Sequence, residues 1–125
     1  MKDDSAGSLK ERNIEEILFY FPYLIDERIK PSYVEKRQAI FEDGTRVDLE
    51  FESPSEIFVI EIKKGIIDMR AFYQLTHYIN EIYATIGKTK RIIGILVGDN
   101  ICNRKEIENK VADYRHEIHI RLLRE

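Results

Sequence analysis

Three ionisable residues have the types and spacing for shared chemistry: Asp48 in Gly44-Thr-Arg-Val-Asp48-Leu, and Glu61 and Lys63 in Val59-Ile-Glu61-Ile-Lys63. Alternate residues of an extended chain share a face, so Glu61 and Lys63 point the same way at the end of an otherwise apolar segment. Asp48 lies thirteen positions before Glu61, on the preceding extended segment. Paired carboxylates can hold a hard divalent cation, and a nearby ammonium can stabilise charge developing on a phosphate. The set therefore suits metal-dependent cleavage of a phosphodiester.

The elements that must position these residues follow from hydrophobic period. Ile14, Ile17, Leu18 and Phe21 fall at i, i+3, i+4 and i+7, which predicts an amphipathic helix from Leu9 to Phe21 that Pro22 helps to end. Glu11 continues the inward stripe of that helix, where a carboxylate is unusual; Glu15, one turn on, is its rival for a functional role. Three strands are expected next, from Val34 to Phe41, Thr45 to Glu52 and Glu56 to Lys64, separated by Glu42-Asp43-Gly44 and Ser53-Pro54-Ser55 turns. In the second, Val47, Leu49 and Phe51 form one face and Arg46, Asp48, Glu50 and Glu52 the other. The third is apolar on both faces until Glu61, the pattern of a central strand covered on two sides.

A long helix is expected from Asp68 to Ile86, with Phe72, Leu75, Ile79, Ile82, Tyr83 and Ile86 at helical spacing and Gly87 as its cap. Arg70, Gln74 and Tyr78 make a separate i, i+4, i+8 line. A buried strand from Lys90 to Val97, a helix from Asn103 to Ala112 and a strand from Glu117 to Leu123 complete an α-β-β-β-α-β-α-β order.

This order and these residues resemble the PD-(D/E)XK nuclease superfamily, and within it the nuclease domain of NucS/EndoMS endonucleases. The resemblance runs from residue 9 to residue 98 through Glu11-Arg-Asn-Ile14 with Pro22 eight residues on, Gly44 to Leu49, Val59 to Lys63, and Gln74-Leu-Thr-His-Tyr78. It implies an α/β, restriction-endonuclease-like αβββαβ core, a central mixed sheet flanked by helices, here extended by a C-terminal helix and strand. It further implies that Asp48, Glu61 and the Ile62 carbonyl bind Mg²⁺ or Mn²⁺, with Glu11 completing the shell. Lys63 would orient the attacking water or stabilise charge, and Gln74 and Tyr78 would steady the lysine, the water or the DNA backbone. The family's proteins carry a separate N-terminal domain for DNA binding and dimer contact. Only a short segment precedes the first expected helix here, so preference for mismatched or flapped DNA is not carried over.

Length and composition fit this reading. The chain has 125 residues, 43% apolar and 34% charged, which suits one globular domain over residues 9–125 behind a flexible tail of residues 1–8. A chain of this size buries roughly 65–70% of its unfolded surface. The net charge of −3 argues against coating DNA by bulk attraction, yet permits local basic patches. Arg46, Lys64 and Arg70 lie nearest the proposed site and are expected on the DNA backbone, while Lys88, Lys90 and Arg91 form a separate basic cluster. A single cysteine, Cys102, excludes an internal disulfide, and the longest aliphatic run is too short to span a bilayer, so a cytoplasmic location is expected. His116 and His119, three apart on a strand, face opposite ways, and Cys102 has no paired histidine; a shared metal and nucleophilic thiol chemistry are both disfavoured.

The function expected from the sequence is a Mg²⁺- or Mn²⁺-dependent DNA endonuclease, working as a homodimer on branched, mismatched, flapped or single-stranded DNA. The alternative is a nucleic-acid-binding or assembly module that has the nuclease fold and needs a protein partner for activity.

Overall fold

The computed structural model describes residues 17, 18, 20–40, 46–63 and 65–123, with backbone alone for 36–40 and 46–48. The first expected helix falls mostly outside these residues. Its end is present as a helical turn at Ile17, Leu18 and Tyr20, where the Phe21 N–H donates to the Ile17 carbonyl (2.8 Å). A short 3₁₀ turn, Pro22–Leu24, follows.

The three expected strands form an antiparallel meander: β1 (Val34–Ile40), β2 (Arg46–Glu52) and β3 (Glu56–Ile62). Ser53 closes the second turn, because its Oγ accepts from the Ser55 and Glu56 N–H groups at 3.2 and 3.0 Å. After a two-residue strand β4 (Ile66–Ile67), the long helix α1 (Met69–Ile86) starts on Asp68, whose side chain accepts from the Ala71 N–H at 2.9 Å. Gly87 caps its C-terminus, as expected. The chain then forms β5 (Arg91–Gly98), a short β6 (Asn100–Ile101), helix α2 (Arg104–Asp113) and β7 (Glu117–Leu122). The main sheet has the order β1-β2-β3-β5-β7, antiparallel up to β3 and parallel from β3 to β7. This is the mixed α/β sheet expected. The small parallel β4–β6 pair is an addition that two-residue strands leave invisible to period analysis.

β3 is the middle strand, and both of its faces are covered. Ile57 and Val59 pack with α1, through Ala71, Phe72, Leu75, Ile79 and Ile82, and with Ile107 of α2. Phe58, Ile60 and Ile62 pack on the opposite side with Leu49, Phe51 and the N-terminal residues Leu18, Ile25 and Ile29. Both helices thus serve one face, and the N-terminal segment serves the other.

Gly94 lets the side chains of α1 lie close against β5. A Cβ there would stand 2.8 Å from Ile79 Cδ1 and 3.0 Å from Leu75 Cδ2.

The N-terminal segment is fastened to β7 by ions. Arg28 donates to Asp26 (2.8 Å) and to Glu117 (2.7 Å), while Arg91 and His119 also pair with Glu117. Arg121 Nε donates to the Ile25 carbonyl at 3.1 Å. The hydrogen bond from Arg28 holds the Glu117 carboxyl down at about 2, against an ordinary value of 4.5.

Two outcomes follow. Gly94→Val should lower stability by about 1–3 kcal/mol, read from the urea midpoint. Because the folded pKa of Glu117 is depressed, its contribution is complete above about 4.5 and disappears as the pH falls toward about 2. Glu117→Gln should therefore destabilise the protein at pH 7, and the gap to the wild type should close between those two values in a pH series of unfolding curves.

Candidate active site

The α1-facing side of β3 turns polar at Glu61, and the alternation does not stop where the strand does. The Lys63 N–H donates to the Val97 carbonyl at 2.7 Å, so Lys63 is still held against β5 and stays on the same face as Glu61. From there its ammonium reaches Gln74 Oε1 on α1 at 3.5 Å, the outer limit of a hydrogen bond. Glu61 and Lys63 are both half-buried, whereas Gln74 is exposed. The strand ends two residues earlier than the expected Lys64. The reason lies in Gly65, whose φ of +90° turns the chain so that its carbonyl accepts from Asp99 (2.7 Å) and Asn100 (3.2 Å).

β2 supplies the neighbouring acids. Leu49 and Phe51 point into the core on the N-terminal side, so Glu50 and Glu52 face α1. Leu49 pairs with Ile60 in the antiparallel β2–β3 register. One residue further along each strand, the Asp48 and Glu61 backbone positions come level at the same end of the sheet. The Asp48 and Arg46 side chains, and Glu11 and Lys64 entirely, lie outside the described residues.

Tyr78 behaves differently from the rest of its line on α1. Arg70 and Gln74 are exposed, but Tyr78 is 1% exposed and its hydroxyl donates to Glu50 Oε1 at 2.6 Å. Burial, and then the Glu50 carboxylate, push the Tyr78 phenol well above its usual range, so it remains a donor at all ordinary pH values. Glu50 is itself only 6% exposed. The two described acids of β2 are therefore not simply solvated: Glu50 meets Tyr78, and Glu52 pairs with Lys90 just before β5. Sequence reasoning passed over Glu50. Its signal was the two-residue offset from Asp48 on a strand whose other face is wholly apolar.

Of the expected site, the structure joins Lys63 to Gln74 and sets Glu61 on the same face two residues before the lysine, with the Ile62 side chain turned into the opposite core. The Tyr78 hydroxyl goes instead to Glu50 on the adjacent strand, and Arg70 stands one turn from Gln74 on the exposed side of α1. Among the described residues no three His, Cys, Asp or Glu side chains gather closely enough to hold a metal ion, and no helix is long and apolar enough to cross a membrane.

Removing the Tyr78 hydroxyl takes a donor away from a buried carboxylate. Tyr78→Phe should cost about 1–3 kcal/mol, measured by chemical unfolding, whereas Gln74→Ala, on the exposed side of the helix, should leave stability nearly unchanged.

No protein-family model and no curated protein matches the chain. Solved structures do. A repair endonuclease from Pyrococcus abyssi superposes with a TM-score of 0.68 at 22% identity, over 90% of this chain and 46% of that one. EndoMS in complex with double-stranded DNA gives 0.67 at 23% identity, over 94% of this chain and 44% of that one, and EndoMS in its apo form gives 0.60 at 23%, over 90% and 45%. The chain spans less than half the length of these proteins. Its five-stranded mixed sheet with α1 packed across β3 and β5 is accordingly the fold it shares with part of these repair endonuclease and EndoMS structures.

Proposed function

We propose that the chain is a Mg²⁺- or Mn²⁺-dependent DNA endonuclease of the PD-(D/E)XK type. The observation that carries this reading is the placement of Glu61 and Lys63 on one face at the open end of the central strand, level with the Asp48 position and beside Gln74. Glu61, the Ile62 carbonyl, Asp48 and Glu11 would hold the ion; all are hard oxygen donors, and a half-buried carboxylate ending a buried strand fits that task. A bound divalent cation neutralises phosphate charge and makes a coordinated water more acidic. Lys63 places a positive charge next to that position, where it can orient the attacking water and stabilise negative charge on the phosphate in the transition state. Gln74 restrains the lysine, and the Tyr78–Glu50 hydrogen bond fixes α1 against β2, so the helix that carries Gln74 keeps its distance from the strand that carries Lys63. Arg46, Lys64 and Arg70 would meet the DNA backbone. The similarity to an endonuclease solved with double-stranded DNA supports a DNA substrate, and action as a homodimer belongs to the same proposal.

End-labelled single-stranded, flapped, mismatched, branched and duplex DNA, incubated with Mg²⁺, Mn²⁺ or EDTA, test the reading directly. Cleavage should require the metal and fall by at least about a hundredfold in Glu61→Ala and in Lys63→Ala, with the circular dichroism spectrum unchanged. Cleavage that persists in both variants would overturn it. Binding without cleavage would favour a module that depends on a protein partner.

A further inference from the structure

A second polar feature lies at the opposite end of the sheet. A cleft of about 650 Å³ opens between the end of α1, the turn after it, the start of β5 and the chain entering β7. Its walls include Lys88, Lys90, Arg91 and Arg115, together with Tyr83 and His116. In the parallel register Glu56 pairs with Arg91 and Glu61 with Leu96. The cleft mouth is thus five residues, or about 17 Å at ~3.3 Å per residue, from the level of Glu61, and is a separate place on the molecule.

The cations there are under-neutralised. Lys90 pairs with Glu52, and Arg91 with Glu117, but that one carboxylate also serves Arg28 and His119. Lys88 has no carboxylate partner among the described residues, and neither has Arg115. Four cations thus face two carboxylates. Arg115 is held in place by its ring neighbour: its guanidinium lies 4.4 Å from the Tyr83 ring centroid and donates to the Tyr83 hydroxyl at 3.2 Å. These two contacts hold the exposed guanidinium beside the ring and leave its other N–H groups for an acceptor. The His116 ring packs against Tyr83 at 5.0 Å between centroids, and its buried Nε2 has no hydrogen-bond partner.

The cleft is shallow and open to solvent, and its volume falls within the range of small-ligand sites, roughly 300–1,000 Å³. An oxyanion with several acceptor oxygens would satisfy Lys88 and Arg115 together through charge-assisted hydrogen bonds. We propose that this cleft binds a phosphate group, carried either by a free nucleotide or by the end of a nucleic-acid strand.

Amide chemical shifts of the full ¹⁵N-labelled chain, in EDTA so that no metal-dependent cleavage intervenes, provide the test. The probes are inorganic pyrophosphate, deoxyadenosine monophosphate, and an oligothymidylate with and without a 5′-phosphate. The site should show saturable shifts confined to residues 88–91 and 115–117. The double variant Lys88→Ala, Arg115→Ala, which changes only surface side chains, should bind at least about tenfold more weakly. Saturation by pyrophosphate and the nucleotide identifies the small-molecule source; saturation only by the phosphorylated strand identifies the strand end. No saturable shift with any probe, shifts reproduced by sodium chloride at equal ionic strength, or shifts indifferent to the double variant would each overturn the proposal. The readout is independent of catalysis, so it stands or falls apart from the nuclease reading.

Discussion

The double burial of β3 is the constraint on which the remaining geometry depends. A strand covered on one face has its register fixed by alternation, because a one-residue slip turns its whole apolar set to solvent; a strand apolar on both faces lacks that signal, and its phase must be fixed by the shapes packed against it. Here the phase is set by shape. α1 fits against β5 where Gly94 leaves room for Ile79 and Leu75, and Phe58 and Ile60 meet Leu49, Phe51 and the N-terminal residues on the other side. With Val59 committed to α1 and Ile60 to the opposite core, Glu61 has one face left to occupy, and Lys63 inherits it through the Val97 hydrogen bond. The placement of the acid and the lysine at the end of the strand is a consequence of packing further down it.

The acids of β2 show how such a face can be buried at all. An unpaired carboxylate beneath a helix is costly to desolvate, by several kcal/mol once relaxation is counted. Glu52 escapes this through Lys90, and Glu50 through the Tyr78 hydroxyl, which burial keeps protonated. Each step along β2 toward Asp48 therefore has its own answer from α1 or β5. The Tyr78 ring contributes apolar area to the core while its hydroxyl reaches the carboxylate, a combination that phenylalanine or glutamine alone could not supply.

The strands, α1 with its glycine cap, and the same-face relation of Glu61 and Lys63 were legible in the sequence because each is a period, and periods survive without tertiary knowledge. What was not legible depends on distance rather than spacing. Tyr78 lies three residues after Leu75 and four before Ile82, so the period admits its ring to the core; what the period does not give is the partner of its hydroxyl, which only the approach of β2 supplies. Glu50 was hidden for the same reason. The clustering of Arg28, Arg91 and His119 about Glu117 joins positions scattered across the chain, and no period connects them. The two-residue strands β4 and β6 are too short to carry any pattern.

The sheet thereby acquires two polar ends of unlike character. Where β3 leaves the core, an acid and a lysine emerge together, and the turn at Gly65 folds the following chain over the end of β5. Where β5 enters it, cations predominate: Glu52 pairs with Lys90, and Glu117 is shared among Arg91, Arg28 and His119. Glu117 draws Arg28 from the N-terminal segment as well as Arg91 and His119 from the sheet, so it ties two layers together. The apolar layers on the two faces of the sheet keep the two ends about a strand's length apart. Charges at that separation lie beyond the Debye length of roughly 8 Å at physiological ionic strength, and each end can therefore be tuned by substitution without electrostatic cost to the other.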